Sequence, residues 1–326
     1  MKLPHRRQFL HLAAGAAALP ALSRIARAQA YPTRPVRILV GFPAGGTTDI
    51  GARLIAQWLS ERLGQQFIVE NKPGAGTHAA TDAVVRSPAD GYALLMATTS
   101  NAVNATLYDK MNFDFMRDTT PVAGVIRSPL VLEVHPTVPV KTVSELIAYA
   151  RANPGKLNMA SFGTGTVSHL TGELFKLSTG IQMLHVPYRG SAPMVIDLIS
   201  GQVQVAFDNL PASIEHIRAG TLRALAVTTA TRSEALPNAP TVADTLPGFE
   251  SSAWNGLVAP KNTPVEIIDR LNKEINAALG DPKIKARLVD LSGMPFVGPP
   301  TTFGKHIADE TEKWGKVIRA ANIKPG

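Results

Sequence analysis

The chain has no cysteine at all in 326 residues. That excludes disulfides, thiolate metal sites and cysteine nucleophiles, and it is compatible with any redox compartment. Aromatic residues make up only 6%, which leaves few platforms on which bases or sugars could stack. No acidic residue occurs in the first thirty positions, whereas Lys2, Arg6, Arg7, Arg24 and Arg27 all do. Taking those five from the 33 basic residues leaves 28 against 25 acidic, so the formal +8 falls to +3 over the remainder. A balance of that size is not the footprint of a nucleic-acid binder. No stretch after the first thirty residues is long and apolar enough for a membrane helix.

What is present is a globular composition, 45% hydrophobic and 18% charged, long enough for one large domain or two of medium size. Glycine and proline, 26 and 25 residues, exceed the norm without reaching the share expected of a disordered chain. They mark many tight junctions. The first thirty residues read as an address: a basic start, an apolar run from Phe9 to Leu22, and the small-x-small triplet Ala28-Gln29-Ala30 that a signal peptidase reads. HRRQFL (His5 to Leu10) gives that signal a twin-arginine character. Export to the periplasm with cleavage near Ala30 is the expectation.

The mature chain is organised around Val36 to Ile50, VRILVGFPAGGTTDI, where an apolar strand runs into Pro43-Ala44-Gly45-Gly46 and then a helix start. Glycines let the main chain approach a ligand, and the first N–H groups of a helix have no partner within it, so the junction is a cradle for a carboxylate or phosphate. Ser161 to His169, SFGTGTVSH, repeats the arrangement. The two junctions are expected to face each other across a cleft.

Strand and helix signals alternate between and around them. Arg37 to Phe42 reads as a strand, the helix after Asp49 ends at Gly64, Phe67 to Glu70 is a strand, a helix runs to about Arg86, and Tyr92 to Ala97 empties into a polar loop, Thr98 to Asn101. Val122 to Val134 leads to a second set: a helix opened by the capping box Thr142/Glu145, a strand Leu157 to Ser161, a helix Val167 to Ser178 closed by Gly180, a helix capped by Ser191, and strands Val203 to Phe207 and Leu222 to Thr228. From about Ser251 the chain returns through a helix opened by a Thr263/Glu266 capping box, another opened by Asp281-Pro282, and a last one striped by Phe303, Ile307, Trp314, Val317 and Ile318. The expected class is α/β with two lobes: 31–128 with 255–326, and 129–254. A single doubly wound domain is the alternative.

Enzymatic readings fare worse. Gly163-Thr164-Gly165-Thr166-Val167-Ser168 follows a strand as G-x-G-x-x-S, but the third glycine of a dinucleotide fingerprint is missing, and so is an acid in residues 181–191 to hold a ribose. G-x-S-x-G, S-x-x-K and the G-x-x-x-x-G-K-[ST] phosphate loop are absent. His169 and Glu173 share a helix face without a third ligand, so no metal is expected, and no cofactor.

FPAGGTTD, NKPGAG, SFGTGTVSHLTGELFK, VPYRGSAPMVIDLISGQVQVAFDN and APKNTP, in that order and spacing, resemble the Bug/TctC family of extracytoplasmic solute receptors of tripartite tricarboxylate transport systems. The resemblance implies a type II periplasmic-binding-protein fold, capture of a small carboxylated solute between two lobes, no catalysis, and delivery to a membrane permease. The alternatives are presentation of the solute to a sensor ectodomain, or a periplasmic enzyme with an unrecognised site. A monomer that binds no nucleic acid is expected. Carried onto this chain, the resemblance implies a first-lobe site of Phe42, Ala44, Gly45, Gly46, Thr47, Thr48 and Asp49 with Thr99, Ser100 and Asn101. In the second lobe it implies Gly163, Thr164, Gly165, Thr166, Ser168 and His169, with Tyr188 and Asp208 as walls. Two departures bear on the solute: Thr77 and His78 follow Gly74-Ala75-Gly76 where the family often reads GAGG, and Thr47 and Thr48 stand where glycine is common.

Overall fold

The computed structural model describes residues 31–74, 77–108 and 111–325. The expected signal segment, residues 1–30, lies outside the described residues, as do Ala75 and Gly76 of the departing loop. From Arg34 on, the chain alternates strand and helix as its periodicities demand. The first stretch runs β1 (Val36–Val40), α1 (Thr47–Leu63), β2 (Phe67–Asn71), α2 (His78–Val85), β3 (Ala93–Thr98) and α3 (Thr99–Leu107). A short α4 (Phe115–Asp118) leads into the long strand β4 (Thr119–Val134). Then come α5 (Val143–Ala152), β5 (Asn158–Ser161), α6 (Val167–Thr179), β6 (Leu184–Pro187), α7 (Ser191–Ile199), β7 (Val205–Asn209), α8 (Leu210–Arg218) and β8 (Arg223–Val227). The return consists of β9 (Ser252–Pro260), α9 (Val265–Gly280), α10 (Pro282–Asp290), β10 (Met294–Pro295) and α11 (Pro300–Ala320). Among the described residues, no helix is long and apolar enough to cross a membrane.

Ten strands join in the order β2-β1-β3-β9-β4-β7-β5-β6, with β8 and β10 paired to β4. The outer pairs are parallel: β1 with β2 and β3 on one side, β5 with β6 and β7 on the other. The middle is antiparallel, because β9 runs against both β3 and β4, and β4 runs against β7 and β8. The sheet is therefore mixed. β4 is the connector: Thr119 to Pro129 pair with β9, and from Leu130 onward the strand pairs with β7 and β8. The register shifts on either side of Ala123 and Gly124, and such bulges increase the twist by which one sheet turns into the next.

Several helix boundaries differ from the sequence reading for identifiable reasons. Thr98 to Asn101 is a capping box opening α3, not a loop: Asn101 Oδ1 accepts from the Thr98 N–H at 2.9 Å. Ser191 does not cap α7; it donates instead to Asp208. Thr263 donates to the Pro260 carbonyl and leaves α9 without a side-chain cap. Gly64 and Gly180 do close α1 and α6, each in the left-handed conformation that suits glycine, φ +72° and +70°.

Two large apolar cores lie behind the sheet. One gathers Leu39, Leu95, Ala97, Trp254, Phe303 and Ile307; the other gathers Leu107, Leu132, Leu170, Phe175, Phe207, Trp314 and Ile318. The apolar stripe of α11 thus divides, its first two turns filling the first core and its last two the second. Between those turns Glu310, 5% exposed, accepts from both indole N–H groups, Trp254 at 3.1 Å and Trp314 at 2.8 Å, and pairs with Lys313.

Where β4 meets β7, two carboxyl groups are fully buried. Ser213 Oγ on α8 lies 2.7 Å from Glu133 Oε1 and 3.2 Å from Asp208 Oδ2. Burial first, and then the nearby Asp208, push Glu133 well above the usual carboxylate range; burial likewise pushes Asp208 up to about 6, against the hydrogen bonds it accepts. A raised carboxyl value favours the fold below the unfolded-state value of 4.5 for Glu133 and loses that advantage as pH rises. Wild type is therefore expected to lose stability relative to Glu133→Gln by on the order of 1.4 kcal/mol per pH unit as pH rises from about 4.5 toward neutrality. Denaturant unfolding of both proteins across that range measures it, and parallel curves would refute a neutral Glu133. A second expectation concerns Gly256 in β9, where an added Cβ would lie 2.2 Å from the Phe303 ring and 2.7 Å from the Ala123 carbonyl oxygen. Since the carbonyl belongs to the neighbouring strand and cannot swing aside, Gly256→Ala should cost about 1–3 kcal/mol in the same assay.

Candidate functional site

Four of the strand-to-helix junctions border one cavity of about 360 Å³. β1 leads to α1, which contributes Gly46, Thr47 and Thr48; β3 leads to α3, with Thr98, Thr99 and Ser100. On the other side β5 leads to α6, with Phe162 and Val167, and β7 leads to α8, with Asn209 and Pro211. Ile126 and Ser128 of β4 and Ala253, Trp254 and Asn255 of β9 form the wall between, and Leu291 completes it. The N-terminus of a helix carries partial positive charge and N–H groups without intrahelical partners. The convergence gives the cavity a positive character with no basic side chain among the described residues that line it.

The four junctions are not equally open. Thr98 and Thr166 cap α3 and α6 with their own hydroxyls. Gly46 and Asn209 cap α1 and α8 without any side-chain hydrogen bond, so the first amides of these two helices are the free ones. At α8, Pro211 occupies the second helical position and has no N–H, which leaves fewer donors there than at α1.

Each junction is tied by at least one side-chain acceptor on a nearby backbone N–H. Asp49 Oδ2 takes the Gly45 N–H at 2.9 Å, Asn101 takes that of Thr98 at 2.9 Å, His169 Nδ1 takes that of Gly165 at 3.1 Å, and Asp208 Oδ1 takes that of Asn209 at 2.8 Å. Burial alone would raise the Asp49 carboxyl, but bonds from Arg53, Gly45 and Asn71 outweigh it and hold the group below its ordinary value. Asp49 is thus an ionised clamp on its own loop. Gly45 and Gly165 adopt φ +88° and +72°, which glycine reaches freely. A Cβ on Gly165 would stand 2.5 Å from Leu107 of α3, so that loop rests directly on the opposite helix.

Of the residues implied by the resemblance, Phe42, Ala44, Gly46, Thr47, Thr48, Thr99 and Ser100 line the cavity. Gly45, Asp49, Asn101, Gly163, Thr164, Gly165, Thr166, Ser168, His169, Tyr188 and Asp208 are not on its wall. Ser168 donates to the Phe207 carbonyl at 2.6 Å, inside the second core. His169 stacks on His185 at 3.7 Å, with Glu173 at 3.6 Å from its Nε2. His185 faces Ser161 Oγ at 2.7 Å, and burial, reinforced by His169, lowers it to about 4. Tyr188 donates to Asp197 at 2.7 Å, and burial together with that bond pushes it up to about 12. Thr77 is buried against Gly41, away from the cavity, whereas Thr47 and Thr48 do face it. Among the described residues, no group of three or more His, Cys, Asp or Glu is arranged to hold a metal.

Sequence reasoning did not find the α8 junction or the β4 and β9 wall. A signal for the former exists: Asn209-Leu210-Pro211 at the end of a strand is a helix cap followed by proline in the first turn. For Ile126, Ser128, Ala253 and Trp254 there is none, since nothing local tells which face of a long strand meets a cavity.

The family described as "Tripartite tricarboxylate transporter family receptor" matches residues 51–323. Protein BugT of Bordetella pertussis is 39% identical over 300 residues, covering 91% of this chain and 92% of BugT. A solved structure of R. palustris Rpa4515 with adipate is 41% identical, with a TM-score of 0.78 over 91% of this chain and 100% of that one. MatC from Rhodopseudomonas palustris with bound malate is 30% identical, with a TM-score of 0.73 over 88% and 100%. The two-lobed fold is that of periplasmic solute-binding proteins. The chain belongs to the TctC family of tripartite tricarboxylate transporter receptors, and it is a periplasmic solute receptor, not an enzyme.

Proposed function

We propose that the protein captures a small carboxylated metabolite in the cavity where the four helices begin, through backbone amides and hydroxyl groups, and delivers it to a tripartite tricarboxylate-type permease. The observation that carries this reading is the convergence of helix N-termini on a cavity whose wall, among the described residues, has no charged side chain. The lobes are taken as 31–128 with 255–326, and 129–254, acting as a monomer. The mature chain, in this reading, begins after a signal segment cleaved near Ala30. Adipate in one relative and malate in another are both carboxylates, which supports the same class of solute here.

Amides suffice energetically. Micromolar affinity corresponds to about 8 kcal/mol. Four or five charge-assisted hydrogen bonds at about 1.5–3 kcal/mol each reach that order before ordering costs, and the α1 and α3 starts bring Thr47, Thr48, Thr99 and Ser100 to the wall.

A melting screen of the mature protein against organic acids tests the reading. One carboxylate is expected to raise the melting temperature by several degrees, since about 4 kcal/mol of stabilisation follows when the ligand is at about a thousand times its Kd, and the acid should be recovered chemically unchanged. Turnover of the acid would count against a receptor. Gly46→Val sharpens the test. Gly46 sits at φ −79° and ψ 167°, which valine tolerates, and an added Cβ meets nothing closer than 4.0 Å. The ligand-free unfolding midpoint should stay near that of wild type while affinity falls about 100-fold or more, because the new side chain covers the first amides of α1. Unchanged affinity by calorimetry would remove α1 from the site.

A further inference from the structure

Behind the start of α8 runs a chain of four side chains: Glu133 on β4, Ser213 on α8, Asp208 on β7 and Ser191 at the start of α7. Ser213 Oγ stands 2.7 Å from Glu133 Oε1 and 3.2 Å from Asp208 Oδ2, and Ser191 donates to that same Oδ2. Asp208 Oδ1 accepts the Asn209 N–H at 2.8 Å, and Asn209 lines the cavity. A hydroxyl has one hydrogen, so Ser213 can donate to only one of the two carboxyls. Toward the other it can only accept, and that carboxyl must bring a proton of its own. Glu133 is the one placed to do so: it is 0% exposed, its Oε2 has no hydrogen-bond partner among the described residues, and the charge acting on it is the negative one of Asp208. The ionisable groups on the surrounding elements are engaged elsewhere or exposed. Asp197 of α7 accepts from Tyr188, Glu215 and Arg218 of α8 pair with each other, Arg223 of β8 donates to the Val138 and Val140 carbonyls, and Arg189 before α7 is exposed. His216 lies one turn along α8 from Ser213, and α6, with His169 and Glu173, packs on the other face of β7, against Phe207. Burial pushes Asp208 up to about 6, so the chain gains and loses protons near neutrality.

We propose that this chain is a proton latch: a proton shared by Glu133 and Asp208 and an anion at the α8 start favour each other, so the receptor takes up a proton as it binds its solute and holds it less tightly as pH rises. The linkage rests on the carboxylate capture proposed above and adds its regulation. An ionised Asp208 sits at the positive end of α8, which an anion in the cavity also seeks, and it repels that anion. Protonation removes the competitor, while the carbonyl oxygen of the acid still accepts the Asn209 N–H. By reciprocity, an anion that binds the protonated form better raises the proton affinity of the chain by the same factor. Asp208, Ser213 and Glu133 are therefore positioning residues of the α8 start and do not themselves touch the solute.

The test is calorimetry on the mature protein with adipate, malate, succinate and glutarate. At about pH 7 these acids are themselves ionised, and titrations in two buffers of different ionisation enthalpy count the protons exchanged on binding. Uptake of a fraction of a proton is expected for each acid that binds, with affinity falling about fivefold from about pH 6 to about pH 8. The double variant Glu133→Gln/Asp208→Asn, which keeps the size of both side chains, should bind without uptake and with one affinity across that range. Uptake that persists in it would assign the proton to another group, His216 included, and overturn the latch. Ser213→Ala serves if the double variant does not fold. There Asp208 loses a donor that favours its charged form, so the fall in affinity should move to higher pH; a profile that stays in place overturns the latch. Wild type that binds with neither uptake nor pH dependence does the same and leaves the receptor reading standing. Failure of all four acids to bind at any of these pH values overturns both.

Discussion

The N–H groups that open a helix have no partner inside it, and the architecture of this receptor follows from bringing several such openings to one place. Parallel strand pairs accomplish this. β1 and β3 run side by side in the same direction, as do β5 and β7, so the helix that follows each strand begins at the same edge as its neighbour's. The antiparallel strands β4 and β9 join the two edges. Four positive helix ends then border one space, and in the proposed reading the affinity for an anion is built from main chain instead of from lysine or arginine.

Amides make a selective site only when they are held still. The charged and polar side chains next to the cavity serve that purpose, since Asp49, Asn101, His169 and Asp208 each fix a backbone N–H of their own junction. This is preorganisation: donors fixed before the ligand arrives need not be ordered when it does. It also explains why residues placed in the pocket by motif alone are found with their functional groups facing inward to the protein. Tyr188 and Ser168 are similar, the first serving Asp197 and the second the Phe207 carbonyl.

Much of this was legible in the chain because the punctuation is local. Gly64, Gly180 and Asp281-Pro282 mark helix ends by backbone chemistry that depends on no distant contact, and PAGG and GTGT identify two of the four junctions. Thr98 to Asn101 misled because a short polar run reads as a loop, although threonine followed three residues later by asparagine is able to form a capping box. β4 begins at Thr119, three residues before the stretch Val122 to Val134 that the sequence singles out; the bulges around Ala123 accommodate Pro121 and Gly124, and Pro129 sits where the strand changes partners. The wall residues Ile126 and Trp254 were invisible for a deeper reason. Which face of an antiparallel strand meets solvent, core or cavity is decided by residues more than a hundred positions away.

The division of the α11 stripe between two cores has a mechanical consequence. Phe303 and Ile307 are seated in one core and Trp314 and Ile318 in the other, on a single rigid rod. Any relative movement of the two halves must therefore be absorbed by twisting β4 and β9 under that rod or by sliding one end of it within its socket. In a protein whose proposed lobes close on a ligand, such a helix is a splint across the joint, tying the chain's final residues to both cores.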